Sequence, residues 1–196
     1  MLLKFQTLMF LLRLIDIVFA FFFLIILAPI FTILVIFISF DGFPILYLSK
    51  RVGINGKIFT MYKFRSMKNL KNKKIKDEKR LNRMGIFLRR TSLDELPQLI
   101  NVLIGNMSIV GPRALPNEIE MQISKKNKLL RRSIRPGMTG LSQINYDGSK
   151  RSIKEKAKLD VEYVMNISIY NYFKILFMTI LVLIKRYKRN KKGFSL

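Results

Sequence analysis

From Ile17 to Phe40 the chain runs through 24 residues without a charge, held between Asp16 and Asp41. Nothing else in the sequence limits the fold as much. As a straight helix the run would reach about 36 Å, against about 30 Å of hydrocarbon in a bilayer. A secretory signal fits poorly, because the run is long and no small-x-small cleavage site follows it. A simple spanning helix meets an electrostatic objection. Lys4 and Arg13 balance Asp16 and Asp41, so residues 1–41 are neutral and the rest of the chain carries the whole formal charge of +24. Basic segments stay cytoplasmic, and Lys4 and Arg13 favour the same side for the N-terminus. A helix that enters, breaks and returns meets both demands. Pro29, near the middle, removes one backbone hydrogen bond and crowds the carbonyl four residues back, which kinks or breaks a helix. The expectation is a re-entrant membrane helix within residues 1–41, broken at Pro29, followed by a cytoplasmic-face domain over 42–196.

The cationic excess, 36 Lys and Arg against 12 Asp and Glu, implies anionic partners: phosphates, acidic lipid headgroups or nucleic acid. No nucleic-acid-binding motif accompanies the charge, so nucleic acid is not an expected partner. The chain has neither Cys nor His. Disulfides, thiolate metal sites and Ser–His or Cys–His arrangements are therefore excluded. Chemistry would fall to carboxylates, hydroxyls, Lys and Arg, and a metal would be a hard cation held by oxygen.

The patterning predicts an α+β chain, mostly helical, with a few short strands. Ile45–Leu48 and Ile58–Tyr62 read as extended pieces around Gly53 and the turn signal Asn55-Gly56. Residues 68–80 read as a solvated Lys-rich loop. Helix is expected over Leu81–Arg90, from Ser92 to Ile104 with Gly105 as the stop, and over 117–131. Ser108–Val110 is a short apolar piece. Arg135-Pro136-Gly137 and Gly140 mark a structured loop. Ile153, Ala157, Val161 and Val164 fall on one face of an amphipathic helix. Ile167–Ile184 reads as an interfacial or packed helix rather than a second span, leading into a basic cluster from Lys185 to Lys192 that suits anionic headgroups.

Asp94 and Glu95 stand side by side in a chain with few acids. One reading is structural: Ser92 and Glu95 have capping-box spacing, and acids suit a first helical turn. The other is chemical. Arg89 and Arg90 precede the pair, and Arg113 and Arg135 lie in Gly/Pro-shaped turns. Arg forks bind phosphate oxygens, two carboxylates can hold magnesium against a diphosphate, and a carboxylate can act as a nucleophile.

The string Leu93-Asp94-Glu95-Leu96-Pro97-Gln98-Leu99-Ile100-Asn101-Val102-Leu103, with Gly111-Pro112-Arg113 after it, resembles the bacterial sugar transferases. These are the monotopic phosphoglycosyl transferases that start glycan assembly on a polyprenyl phosphate. Tyr62-Lys63-Phe64-Arg65-Ser66-Met67, Arg135-Pro136-Gly137, Thr139-Gly140-Leu141, Gln143, Asp160 and Tyr163 extend the match in order and spacing. The resemblance implies a membrane enzyme at the cytoplasmic face of the bacterial inner membrane. It implies a UDP-sugar donor, undecaprenyl phosphate as acceptor and UMP as by-product. Asp94 would attack the β-phosphate and carry the phosphosugar. Glu95 would help hold Mg2+ beside Asp94. Arg89, Arg113 and Arg135 would bind phosphate, with Lys63 and Arg65 serving phosphate or structure.

Some positions depart from the family pattern. Ala28 stands where Ser usually precedes the helix-breaking Pro, Ser49 replaces a frequent Gln, Ala114 replaces a Pro, and Tyr146-Asp147-Gly148 replaces an Asn-Gly-Arg-like segment. The alternative of another class is a non-catalytic basic protein that binds the membrane surface.

Overall fold

In a computed structural model the described residues are 2–67, 83–145 and 151–192. The Lys-rich run 68–80 and the segment Tyr146-Asp147-Gly148 lie outside them. The chain is mostly helical with short strands.

The apolar N-terminus forms two helices, α1 (Leu2–Ile26) and α2 (Ala28–Phe40). The stretch Leu3–Ile26 is long and apolar enough to cross a bilayer. The helix begins well before the uncharged run and includes Lys4, Arg13 and Asp16. Its buried residues Leu12, Asp16 and Ala20 recur every fourth position, so they form one stripe against the body. The helical assignment pauses at Leu27, two residues ahead of Pro29. Pro29 lies in the first turn of α2, where its missing N–H would be unpaired in any case.

Strands β1 (Leu46–Val52) and β2 (Ile58–Phe64) form an antiparallel hairpin with Leu46 opposite Phe64 and Val52 opposite Ile58. Asn55-Gly56 makes the turn with φ of 55° and 78°, a backbone that Asn and Gly accept more readily than other residues. Helix α3 (Arg83–Thr91) follows, then a single 3-10 turn, Leu93–Glu95, and α4 (Gln98–Leu103). Helix was expected unbroken from Ser92 to Ile104. It is interrupted because Ser92 adopts φ 58° and Pro97 follows the 3-10 turn. Gly105 ends α4 at φ 89°.

Strand β3 (Ser108–Val110) pairs in parallel with β4 (Gly137–Thr139), a strand the sequence pattern did not reveal. Here the motif glycines have a steric reason. A Cβ on Gly111 would come within 2.5 Å of the Arg135 carbonyl oxygen, and one on Gly140 within 2.1 Å of the Gly111 carbonyl oxygen. The expected helix over 117–131 is two pieces, α5 (Asn117–Glu120) and α6 (Lys125–Arg131), the second capped by the Ser124 hydroxyl. The chain continues through α7 (Leu141–Ile144), α8 (Ile153–Met165) and α9 (Ile169–Lys192).

Two apolar clusters organise the molecule. The larger joins Leu12 and Ala20 of α1 to Phe59 and Met61, Val102, Met107 and the inner faces of α8 and α9. The smaller joins Leu34 and Ile38 of α2 to Phe64 and Leu88, with Leu93 and Leu96 packed against it. The second apolar helix therefore supports the turn that carries Asp94.

Buried charges tie elements together. Asp16 Oδ1 accepts hydrogen bonds from the Ser108 hydroxyl (3.0 Å), the Ile109 N–H (2.8 Å) and the Tyr172 hydroxyl (2.7 Å). Arg13 donates to the carbonyls of Val102 and Leu103 at the end of α4. Arg131, Glu120 and Asp160 form a buried network with two contacts of 3.0 Å.

Candidate active site

The Asp94 turn is built by strain and packing rather than by capping. Ser92 is left-handed, so it lacks the extended backbone of an N-cap, and its side chain makes no capping bond. The capping-box reading at Ser92 and Glu95 is overturned; such a box occurs instead at Ser152 and Glu155. Leu93 and Leu96 turn into the smaller apolar cluster, and Asp94 and Glu95 line a cleft of about 620 Å³.

Strand β2 brings Lys63 to the pair. Phe59, Met61 and Lys63 share a strand face by two-residue alternation. The first two are buried, and Lys63 reaches the cleft, with Nζ 2.6 Å from Glu95 Oε1. Asn101 fixes the register between the two elements. Its Oδ1 accepts from the Tyr62 N–H and its Nδ2 donates to the Thr60 carbonyl.

Asp94 is buried at 8% exposure. Burial first, and then the Glu95 charge, push its carboxyl up to about 6, while Lys63 and Arg89 pull the other way. A carboxyl in that position is ionised at neutral pH yet poorly solvated, which suits a nucleophile.

The other expected residues are placed unevenly. Arg89 lines the cleft and donates from Nε to the Ser66 hydroxyl at 2.9 Å. Arg65 also lines it, but its guanidinium donates to the carbonyls of Asp41, Gly42 and Phe43, where α2 ends. Arg113 is exposed and is not among the lining residues. It sits near enough to Arg51, which does line the cleft, to act on it electrostatically. Arg135 is brought elsewhere: its Nε donates to the Gly105 carbonyl, and it borders a small void with Arg13 and Asp16. Asp160 is not at the cleft; it holds Arg131, whose Nη2 donates to the Arg113 carbonyl.

Arg51 and Arg186 line the cleft without having been singled out for it. Burial is the first cause that lowers the Arg51 guanidinium from its usual value; Tyr47 acts against it and Arg113 with it. Arg186 was legible only as part of a basic tail. Its helical spacing from Tyr172, Ile175 and Thr179 was the signal that places it on the side of the helix facing the cleft.

The donor set suits magnesium. That ion commonly takes one or two carboxylates and completes its shell with phosphate oxygens and water. Asp94 and Glu95 supply the carboxylates, and a cation beside Asp94 would relieve the repulsion that raises it. Among the described residues no group of three or more acidic side chains gathers, so the remaining ligands would come from substrate and water.

The Bacterial sugar transferase family profile matches residues 7–186. The chain is 36% identical over 177 residues to the UDP-glucose:undecaprenyl-phosphate glucose-1-phosphate transferase of Escherichia coli K12, covering 84% of this chain and 38% of that protein. It is 38% identical to the undecaprenyl-phosphate galactose phosphotransferase of Salmonella typhimurium LT2, covering 90% of this chain and 41% of that one. It is 37% identical to the exopolysaccharide production protein PSS of Rhizobium leguminosarum, covering 80% and 86%. The chain thus spans about two-fifths of the length of the first two relatives.

Proposed function

The chain belongs to the bacterial sugar transferase family, and on that footing we propose that it transfers a sugar-1-phosphate from a UDP-sugar to undecaprenyl phosphate. The observation that carries this reading is Asp94: a buried carboxylate raised to about 6, opening on a cleft lined by Lys63, Arg89 and Arg51.

An Asp94 carboxylate oxygen bonds to the β-phosphorus of the donor while the bond from that phosphorus to the bridging oxygen breaks. UMP leaves with the electron pair, and the phosphosugar stays on Asp94 as an acyl-phosphate. An oxygen of the lipid phosphate then attacks the same phosphorus. The Asp94–phosphorus bond breaks, the carboxylate is regenerated, and undecaprenyl-diphospho-sugar departs. Both nucleophiles are already anions, so a chain without His can run both steps. Arg89 and Arg51 bind donor phosphate oxygens, Arg113 adds positive charge beside Arg51, Lys63 offsets the Glu95 charge, and Arg65 holds the end of α2. Magnesium held by Asp94 and Glu95 would supply charge neutralisation at the diphosphate.

The membrane topology is part of the same proposal. Helices α1 and α2 enter and return with Leu27 and Pro29 at the turn, and the domain stays on the cytoplasmic face. Support comes from packing: α1 grips the body through Leu12 and Ala20, and α2 grips the same body through Leu34 and Ile38. The exposed apolar residues of α9 and its basic end suit the interface and anionic headgroups.

The test uses detergent-solubilised protein, magnesium, undecaprenyl phosphate and a panel of UDP-hexoses and UDP-N-acetylhexosamines, with UMP as readout. Release from at least one donor is expected, lost with Asp94→Asn and with chelator. Undiminished release from Asp94→Asn overturns the covalent mechanism.

A further inference from the structure

Tyr172, Ile175, Thr179, Val182 and Arg186 recur at spacings of three and four, so they share one face of α9. The first part of that face points into the molecule, and its far end, at Arg186, is exposed. Tyr172 and Ile175 are buried, and the Thr179 hydroxyl meets that of Thr139 at 2.7 Å. Followed toward its C-terminal end, the face delivers Arg186 to the cleft of Asp94. Phe173, Phe177, Ile180, Ile184 and Tyr187 remain exposed. Arg186 therefore lines the cleft that holds Asp94, on a helix whose neighbouring positions present an apolar surface. Among the described residues it forms no ion pair, although the cleft holds two acids.

The cleft also has an apolar wall, made by Pro44, Leu46 and Tyr47. Beside it Phe40, Phe43 and Leu48 are exposed at 81%, 76% and 57%, so the wall continues outward from the end of α2. The other lining cations are engaged: Lys63 with Glu95, Arg89 with Ser66, Arg65 with backbone carbonyls and Arg51 with the Ser49 hydroxyl. A nucleotide sugar is polar along its length and gains little from an apolar wall. A prenyl phosphate needs both a cation and an apolar surface leading to the bilayer.

We propose that Arg186 and the Pro44–Leu46–Tyr47 wall bind the lipid acceptor. The guanidinium takes the phosphate monoester, and the wall takes the first isoprene units, which leave past Phe43 and Leu48. The inference rests on the transferase reading for its catalytic meaning, but the binding it describes can be measured alone.

Two measurements on the full chain in detergent separate the questions. The first is the affinity of a photoreactive farnesyl phosphate without donor, with and without excess inorganic phosphate. The second is the UMP burst from donor without lipid. In Arg186→Ala the probe binds about tenfold more weakly and the burst is unchanged; Arg186→Lys keeps most of the affinity. Tyr47→Asp weakens probe binding as well. Excess inorganic phosphate weakens the probe no more than Arg186→Ala does, and the labelled peptides include β1 or α9. Equal affinity in wild type and Arg186→Ala overturns the proposal. So does complete displacement by inorganic phosphate, which would leave the apolar wall no part, or a lost burst with probe binding retained, which would assign Arg186 to the donor. A wild type that binds and is labelled but releases no UMP leaves this proposal standing and removes the transferase reading.

Discussion

The Lys63 ammonium stands 2.6 Å from Glu95 Oε1 and thereby divides a carboxylate pair that would otherwise repel. Glu95 raises the Asp94 carboxyl and Lys63 lowers it. Removing the ammonium in Lys63→Met should raise Asp94 above its position of about 6. The nucleophile must be ionised, so the acid limb of kcat/KM should move to higher pH. A loss of about tenfold at pH 6 that narrows by pH 8.5 is the expected pattern. A pH–rate profile whose acid limb does not move would show that Lys63 acts otherwise.

Asp94 should also oppose folding. Its carboxyl in the folded protein is pushed up to about 6 from an ordinary 3.8. A group raised on folding stabilises the fold below its unfolded value, and that stabilisation is lost as pH rises through the folded value. At pH 7.5 the ionised group costs on the order of 2 to 3 kcal/mol. Asp94→Asn should therefore raise the melting temperature by several degrees at pH 7.5 without magnesium. The gain should vanish below pH 4. A variant that melts lower than wild type at pH 7.5 would contradict the burial argument.

The sequence disclosed the dyad because two adjacent acids stand out in so basic a chain, and it disclosed the turn between two extended pieces because Asn55-Gly56 favours one; their antiparallel pairing came from the structure. It misled at Ser92: spacing suggested a capping box, but capping needs an extended backbone, and φ here is 58°. Strand β4 was missed because three residues carry no periodicity and its partner is distant in the chain. Arg135 shared a Gly/Pro setting with Arg113, and only the folded chain shows it turned toward Gly105. The Arg131 network was not readable either, since it needs α5, α6 and α8 to converge.

Arg131 is held by Glu120 and Asp160, each at 3.0 Å, and all three are buried. Truncating it leaves Asp160 without its cation and Glu120 with Arg132 alone, at 2.8 Å. Arg131→Ala should cost about 3 to 5 kcal/mol, read from denaturant or thermal unfolding in detergent. Arg131→Lys should cost less than the truncation yet remain destabilising, because one ammonium cannot reproduce the fork that also reaches the Arg113 carbonyl. Equal stability of wild type and Arg131→Ala would mean that the network contributes nothing net.

Asp16 offers a cleaner separation of shape from hydrogen bonding. One oxygen, Oδ1, receives the Ser108, Ile109 and Tyr172 donors, and so joins α1 to β3 and α9. Asn keeps an acceptor oxygen in the same place; Leu keeps the volume but leaves the Ile109 N–H and the Tyr172 hydroxyl unmatched, while the Ser108 hydroxyl can still donate to the Val110 carbonyl at 3.0 Å. Each unmatched donor costs about 1 to 3 kcal/mol. Asp16→Asn should therefore fold and retain most activity, whereas Asp16→Leu should be severely destabilised despite being more apolar. Expression in membranes followed by thermal unfolding in detergent ranks the two. If Leu proved as stable as Asn, α1 would be held by apolar packing at Leu12 and Ala20, and the three bonds to Asp16 would matter little.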